Sequence, residues 1–273
     1  MLSVNTNNSA MTALQYLNQT NAALSQTENE VNTGEKVSSA ADNGATFAIA
    51  QDMRGDVAGY SAVTDSLNRG TSAVDVAMSA GQSISDLLIQ MKQQALSASD
   101  QSLSTSDRTA MNDDFTALRD QISTIVTNAS FNGFDMIDGS TTQITALASA
   151  DGSSHITVAS QTMTLAALSL TSATIGTQSS ASTMISTIES ALTTVDAGLA
   201  NLSSGAKKFS VQSSFVSQLS SSLQSGIGNL VDADMATESA QLTALQTKQQ
   251  LGVQALSIAN QSPSIILSLF QNG

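Results

Sequence analysis

The chain has 273 residues, 22 acidic and 9 basic, with a net charge of −13 and an isoelectric point near 4.1. So acidic a balance argues against nucleic-acid and anionic-membrane partners, which are held by clustered Lys and Arg. The absence of cysteine excludes disulfides, thiol catalysis and thiolate metal sites.

Hydrophobic residues at 41% supply a core for one or two domains. Aromatics at 3% leave few wide ligand pockets, and charged residues at 11% leave a polar, weakly charged surface suited to meeting copies of itself. One proline and much alanine suit long helices. The first eight residues show neither a basic n-region nor an apolar h-region, so no cleavable signal peptide is expected. No run reaches the roughly 18 apolar residues of a membrane span.

The first helix is expected from about Asn8 to Thr33. Ala10, Leu14, Leu17, Leu24 and Val31 keep one face, and Gly34 stops it. Asn21 and Glu28 fill the missing heptad positions, so the stripe is thin and the helix marginal alone. After a polar break from Glu35 to Gly44, a second helix runs from about Ala45 to Ser97. Met53, Val57, Tyr60, Leu67, Val74, Met78 and Leu88 hold a 3.5-residue rhythm there. About 50 helical residues would make a rod of roughly 75 Å. A third helix follows the Ser97–Ser106 turn, with Asp107 as its expected cap and Met111, Phe115, Leu118, Ile122 and Ile125 as its stripe. It ends in the stretch from Asn128 to Gly139.

The period then changes. Gln143–Ala148 and His155–Val158 alternate around Asp151-Gly152-Ser153, a hairpin signal, and Met163–Ile175 could add a short strand. The last third returns to heptads: Ile185, Ile188, Leu192, Val195, Leu199, Leu202, Ala206, Phe209, Val216, Leu223, Ile227 and Leu230 share one a/d register, broken only by Ser213 and Ser220. After a joint at Asp232-Ala233-Asp234, a final helix carries Met235, Leu242, Leu245, Leu256 and Ala259, then Pro263 and an apolar tail that includes Ile266, Leu269 and Phe270.

The expected fold is mainly α. It is an elongated antiparallel coiled-coil bundle with a small β-hairpin insert and both termini at one end. The rod core is drawn from Met53, Val57, Leu67, Val74, Leu88, Phe115, Leu118, Ile122, Leu192, Val195, Leu199, Leu202, Phe209 and Leu223. The thin terminal stripes, Leu14, Leu17, Leu24, Val31, Met235, Leu242, Leu245, Leu256, Ile266, Leu269 and Phe270, read as halves of an interface that partner helices complete. They lack the basic face of a membrane anchor.

Catalytic chemistry has little raw material. His155 is the single histidine, in a strand beside a turn, where a surface role fits better than catalysis. Without cysteine, neither zinc hydrolysis nor Cys–His catalysis is available. Asp113 and Asp114 diverge by about 100° on a helix, and Asp232 and Asp234 flank a helix start, where acids complement the dipole. Thr33-Gly34-Glu35-Lys36 lacks the first glycine and the Gly-Lys pair of a phosphate loop. The sequons at Asn18 and Asn128 lie in or at the end of helices. The methionines sit on helix stripes as adaptable packing. No enzyme activity, cofactor or metal is expected.

Four blocks resemble bacterial flagellin. Val37-Ser38-Ser39-Ala40-Ala41-Asp42-Asn43-Gly44-Ala45 with Ala48-Ile49-Ala50 is similar to the family's I-N-S-A-x-D-D-A-A…A-I-A block. Phe131-Asn132-Gly133 resembles its F-N-G. Asp232-Ala233-Asp234-Met235-Ala236-Thr237-Glu238 resembles its D-x-D-x-A-x-E. Ala259-Asn260-Gln261-Ser262-Pro263 with Leu267, Leu269 and Phe270 resembles its A-N-Q-x-P…L-x-L-L ending.

The resemblance implies a filament subunit on an extracellular flagellum. An inner domain (1–42 with 232–273) would be made of the terminal helices. An outer rod domain (43–231) would carry the insert at about 140–178, with no room for variable outer domains. It also implies export in an unfolded state by the flagellar type III apparatus with a chaperone, contacts with hook-junction and cap proteins, and polymerisation by ordering of the terminal helices. Members sensed by the animal innate receptor carry Arg, Leu and Glu where this chain has Gln90, Gln94 and Asp114, the pattern of receptor-evading flagellins common in alphaproteobacteria. The alternatives are a hook–filament junction protein of the same superfamily and, in another class, a coiled-coil signalling or scaffold protein.

Overall fold

The computed structural model describes residues 6–271, with side chains described through residue 261. The described residues form α1 (Asn8–Thr33), α2 (Ala40–Ala98), α3 (Thr105–Asn128), α4 (Gln178–Val231) and α5 (Met235–Gln271). Between α3 and α4 lie β1 (Ser130–Phe131), β2 (Phe134–Asp135), β3 (Gln143–Leu147) and β4 (His155–Ala159). Contacts divide the chain into a first unit, 1–54 with 223–273, and a second unit, 55–222.

In the second unit α2 and α4 run antiparallel. Gly70 lies against Phe209, Gly81 against Leu199, and Lys92 Nζ bonds Glu189 Oε1 at 2.9 Å. The seam of α2 repeats at alternating steps of four and three: Val63, Leu67, Gly70, Val74, Ala77, Gly81, Ile84, Leu88, Met91, Ala95 and Ala98, all buried. At two steps of the seam a glycine makes room for a bulky α4 side chain, Phe209 at Gly70 and Leu199 at Gly81. A Cβ on Gly81 would sit 2.9 Å from Leu199 Cδ2. Phe115, Ile122 and Val126 of α3 complete the core with Ile188, Val195, Leu202, Phe209 and Val216 of α4. Burying each large side chain stabilises the unit by roughly 1.5–3 kcal/mol.

The remaining rod residues expected from the sequence divide. Val57, Leu118, Leu192 and Leu199 are half-buried in the second unit, while Met53 and Leu223, also half-buried, fall in the first. On α4 the most buried neighbours are Ala191, Gly198 and Gly205. That face receives the β insert as well as α2. Met163 fills the space beside Gly198, and Val158 presses on Gly205.

The insert is two hairpins. β3 pairs with β4 from Gln143↔Ala159 to Leu147↔His155, turning Ala146 and Val158 inward. It docks through Leu147 N–H donating to Ser66 Oγ (3.1 Å) and Gln212 Nε2 donating to the Ala148 carbonyl (3.0 Å). β1 and β2 form a second hairpin in the stretch expected only to end α3. Its turn is Asn132 (φ 51°) and Gly133 (φ 82°), the left-handed pair that an Asn-Gly two-residue loop favours.

Three other local expectations are corrected. Ser104, not Asp107, caps α3: its Oγ accepts from Asp107 N–H at 3.2 Å, placing Asp107 inside the first turn. Met163–Ile175 is not a strand. Its backbone closes local turns, with Leu168 N–H donating to the Thr164 carbonyl (3.0 Å) and Leu170 N–H to the Leu165 carbonyl (2.7 Å), and α3 anchors its end, with Ile175 N–H donating to Asn112 Oδ1 (2.8 Å) and Arg119 Nη1 to the Ala173 carbonyl (3.3 Å), while Leu168, Leu170 and Ile175 pack into the core. α2 begins at Ala40 with a kink at Asn43 (φ −159°, ψ 98°). Asp42 stabilises that start by accepting from Ser38 and Ser39 N–H, bonds that hold its carboxyl below the usual range.

The first unit has a small core of its own, Val37, Ala50 and Val231 with Phe47 and Ile227, and it carries the α1/α5 pair.

Candidate functional site

Asn7 begins the pair. Its Oδ1 caps α1 by accepting from Ala10 N–H (3.0 Å), and its Nδ2 donates to the Ala259 carbonyl of α5 (2.7 Å). Farther along, Gly252 approaches Leu17, whose Cδ1 would be 3.1 Å from an added Cβ. Gln249 Nε2 donates to Asn21 Oδ1 (2.9 Å). Asn21, which interrupts the α1 stripe, therefore serves as an interhelix acceptor. These contacts make α1 and α5 antiparallel.

A backbone clasp closes the other end. Gly34, at φ 73°, ends α1 by donating to the Glu30 carbonyl (2.9 Å). Ala233 N–H donates to the Gly34 carbonyl (2.9 Å), Lys36 N–H to the Val231 carbonyl (2.6 Å), and Glu35 bridges Asp232. Arg54 Nη2 holds Glu35 Oε1 at 2.7 Å. Asp234 caps α5, accepting from Thr237 Oγ1 (2.8 Å) and Ala236 N–H (3.1 Å), and those bonds lower its carboxyl below the ordinary value.

One carboxyl in the clasp is poorly served. Glu238 Oε2 is shut off from solvent and no donor reaches it, although the residue as a whole is half-exposed. That local desolvation, then the facing Glu30 carboxylate, raises its pKa, and Lys36 only partly offsets them.

The pair buries very little. Leu24 and Thr27 are the buried residues of α1, and Leu245 is the one on α5 among the residues with described side chains. Leu17, Val31, Leu242 and Leu256 are half-buried, while Leu14 and Met235 are exposed. The side chains of Ile266, Leu269 and Phe270 lie outside the described residues. The sequence reading missed an outer set, Met11, Tyr16, Leu251, Val253 and Ile258, the last 71% exposed. The signal available was their position off the stripe, on helices that carry almost no charge. Between Asn8 and Thr27 there is no charged residue at all, and α5 holds only Glu238 and Lys248. Apolar and amide side chains can be dehydrated at far lower cost than ions. A groove of about 780 Å³ runs along the outer face of α1, lined by Met11, Leu14, Gln15 and Asn18 among others.

In the second unit Gln90 and Gln94 of α2 and Asp114 of α3 come together. With Gln93, Ser97 and Leu118 they line a shallow polar groove of about 490 Å³. His155 is exposed on β4. Among the described residues no helix is long and apolar enough to cross a membrane.

Comparison with known proteins gives this arrangement its class. Residues 4–142 match the bacterial flagellin N-terminal helical region, and residues 185–270 match the bacterial flagellin C-terminal helical region. The chain is similar to flagellin FljK of Caulobacter vibrioides, 53% identical over 98% of both chains. It is also similar to a flagellin of Brucella melitensis, 39% identical over 99% of this chain and 100% of that one. Among solved structures it resembles Bacillus cereus flagellin (TM-score 0.51, 19% identity, 55% of this chain and 88% of that one). It also resembles a putative flagellar hook-associated protein of Vibrio parahaemolyticus (TM-score 0.58, 11% identity, 70% and 100%). These two likenesses concern the fold alone.

The chain is therefore a structural protein built to polymerise, and it belongs to the bacterial flagellin family. It is a short, alphaproteobacterial-type member without variable outer domains, and a subunit of the extracellular flagellar filament that serves motility. Full-length similarity to flagellins favours this reading over the junction-protein and scaffold alternatives.

Proposed function

We propose that filament growth is driven by the outer faces of α1 and α5, which copies of the chain complete for one another. The observation that carries this reading is the mismatch within the pair: two sparsely charged helices with three buried residues between them among the described side chains, and a set of exposed Met, Leu, Tyr, Val and Ile side chains. Two such helices are marginal alone, because helical stability comes mostly from packing an apolar face. Neighbouring copies supply the missing face, so the pair orders as it assembles. Contacts between different patches of identical chains generate an open helical polymer when the rotation between copies does not close into a ring.

On this reading the first unit is the inner domain and the second the outer domain of the filament. Leu14, Leu17, Leu24, Val31, Met235, Leu242, Leu245, Leu256, Ile266, Leu269 and Phe270 take part in the inner packing. Passage through the type III export apparatus in an unfolded state, with a chaperone, and folding beneath a cap beyond the hook-junction proteins accord with a chain free of cysteine and with helices weakly held in the monomer. No cofactor and no catalytic step are involved.

The test is seeded growth watched by negative-stain electron microscopy. The full chain is expected to extend short seeds into long filaments, and a variant lacking residues 234–273 to stay monomeric. Filaments from the shortened variant would contradict the reading.

The groove at Gln90, Gln94 and Asp114 carries a second reading. It holds amides and a shorter carboxylate where receptor-activating relatives hold Arg, Leu and Glu, so the monomer escapes the animal innate receptor. A reporter-cell assay is expected to show weak activation, and a strong response would refute this.

A further inference from the structure

A filament of identical chains needs two different patches per chain at each contact, and the second unit offers such a pair outside the terminal helices. One is a ridge on α4. Val211 and Phe215, one helical turn apart, are 62% and 54% exposed. Lys207 and Lys208, on the turn before them, are exposed and form no ion pair among the described residues. The other is a groove of about 400 Å³ where α2 meets both hairpins, lined by Arg69, Phe131, Phe134, Gln143 and Ile144 among others. Phe134 stands in it 54% exposed. Exposed aromatics are scarce in a chain with nine of them, seven Phe and two Tyr, and one lies on each patch.

We infer that the Val211–Phe215 ridge of one subunit seats in the Phe131–Phe134–Ile144 groove of a second copy, forming a contact between outer units in the filament. The chemistry is complementary. Phe215 meets two phenylalanine rings, an arrangement that adds to simple burial. Arg69, which has no ion pair among the described residues, gains a ring face for its guanidinium. Lys207 and Lys208 put local positive charge beside the ridge, and Asp65, exposed on α2 one turn before the groove residue Arg69, offers one of them a carboxylate at the rim. The contact rests on the filament reading and adds to it a site that does not involve α1 or α5.

Because the chain has no cysteine, two introduced thiols report the contact without background. Gln143→Cys lies in the groove and Val211→Cys on the ridge, and both sites are exposed. Filaments grown from an equal mixture of the two variants and oxidised are expected to yield disulfide-linked dimers. Filaments of either variant alone, and the unassembled mixture, are expected to yield none. Mixed filaments without linked dimers would overturn the inference while leaving the terminal-helix reading intact. A wild-type chain that cannot extend seeds would instead overturn that reading. Independently of the thiols, Phe215→Ala is expected to slow elongation from wild-type seeds about tenfold while the monomer's melting is unchanged. Elongation at the wild-type rate would contradict the contact.

Discussion

The two units spend the same kind of residue in opposite ways. In the second, α2 places a buried residue at every step of its seam, and glycines at 70 and 81 let Phe209 and Leu199 fill the space opposite. In the first, α1 and α5 leave Leu14, Met11, Leu251, Val253 and Ile258 in solvent and bury three residues between them among the described side chains. The second unit is a finished core, and the α1/α5 pair is half of one. Apolar content alone does not separate them. What differs is whether the complementary surface is on the same chain, and the proposed filament packing rests on that difference.

Substitutions in the two units should act on different readouts. The largest effect belongs to the finished core. Phe115→Ala or Phe209→Ala removes a fully buried ring and should cost the monomer about 3–5 kcal/mol in denaturant unfolding. Gly205→Ala tests the docking of the insert. The new Cβ would collide with Val158 Cγ1, and overpacking of about 1–3 kcal/mol should exceed the gain in helix propensity. Ser104→Ala removes the α3 cap and should cost about 1 kcal/mol. At the outer face the pattern inverts. Leu14→Ala or Leu251→Ala should leave monomer unfolding within about 0.5 kcal/mol of wild type, as for exposed positions, yet suppress seeded growth.

The smallest effect is titratable. Burial and Glu30 raise the Glu238 pKa in the folded clasp. The folded state therefore holds this proton more tightly than the unfolded chain, and its contribution is fully present at acid pH, then lost as pH rises through the raised value. Glu238→Gln should flatten that part of the pH profile of clasp opening, followed by amide exchange at Ala233, and should tighten the clasp at neutral pH.

Much of this was legible in the sequence, for definable reasons. α1 could be read from Asn8 to Thr33 because an apolar stripe and Gly34 agreed. The β3–β4 hairpin could be read because alternation and an Asp-Gly turn agreed. The α4 heptad could be read because it carries large aliphatic residues. The true α2 seam was harder, since Gly70, Ala77 and Gly81 carry no hydrophobic signal and acquire meaning only from what they face. Met163–Ile175 resembled a strand by composition, but among the described residues it pairs with no strand: local turns close most of its backbone bonds, and Asn112 and Arg119 of α3 anchor its end. The Asn132-Gly133 turn was present in the letters and was overlooked because so short a hairpin has no strands to flank it. The outer face of the pair lay partly hidden for a similar reason. Tyr16, Val253 and Ile258 depart from the helical stripe, so periodicity does not mark them.

The central claim is that α1 and α5 are held weakly within one chain and firmly between chains. Backbone hydrogen exchange, followed by mass spectrometry on the monomer and on filaments, addresses it directly. In the monomer, amides of α1 and α5 should exchange orders of magnitude faster than those of Leu67–Met91 and Ile188–Phe209. In filaments they should become as slow as the second unit. Full protection of α1 and α5 in the monomer, or no gain on assembly, would contradict the account.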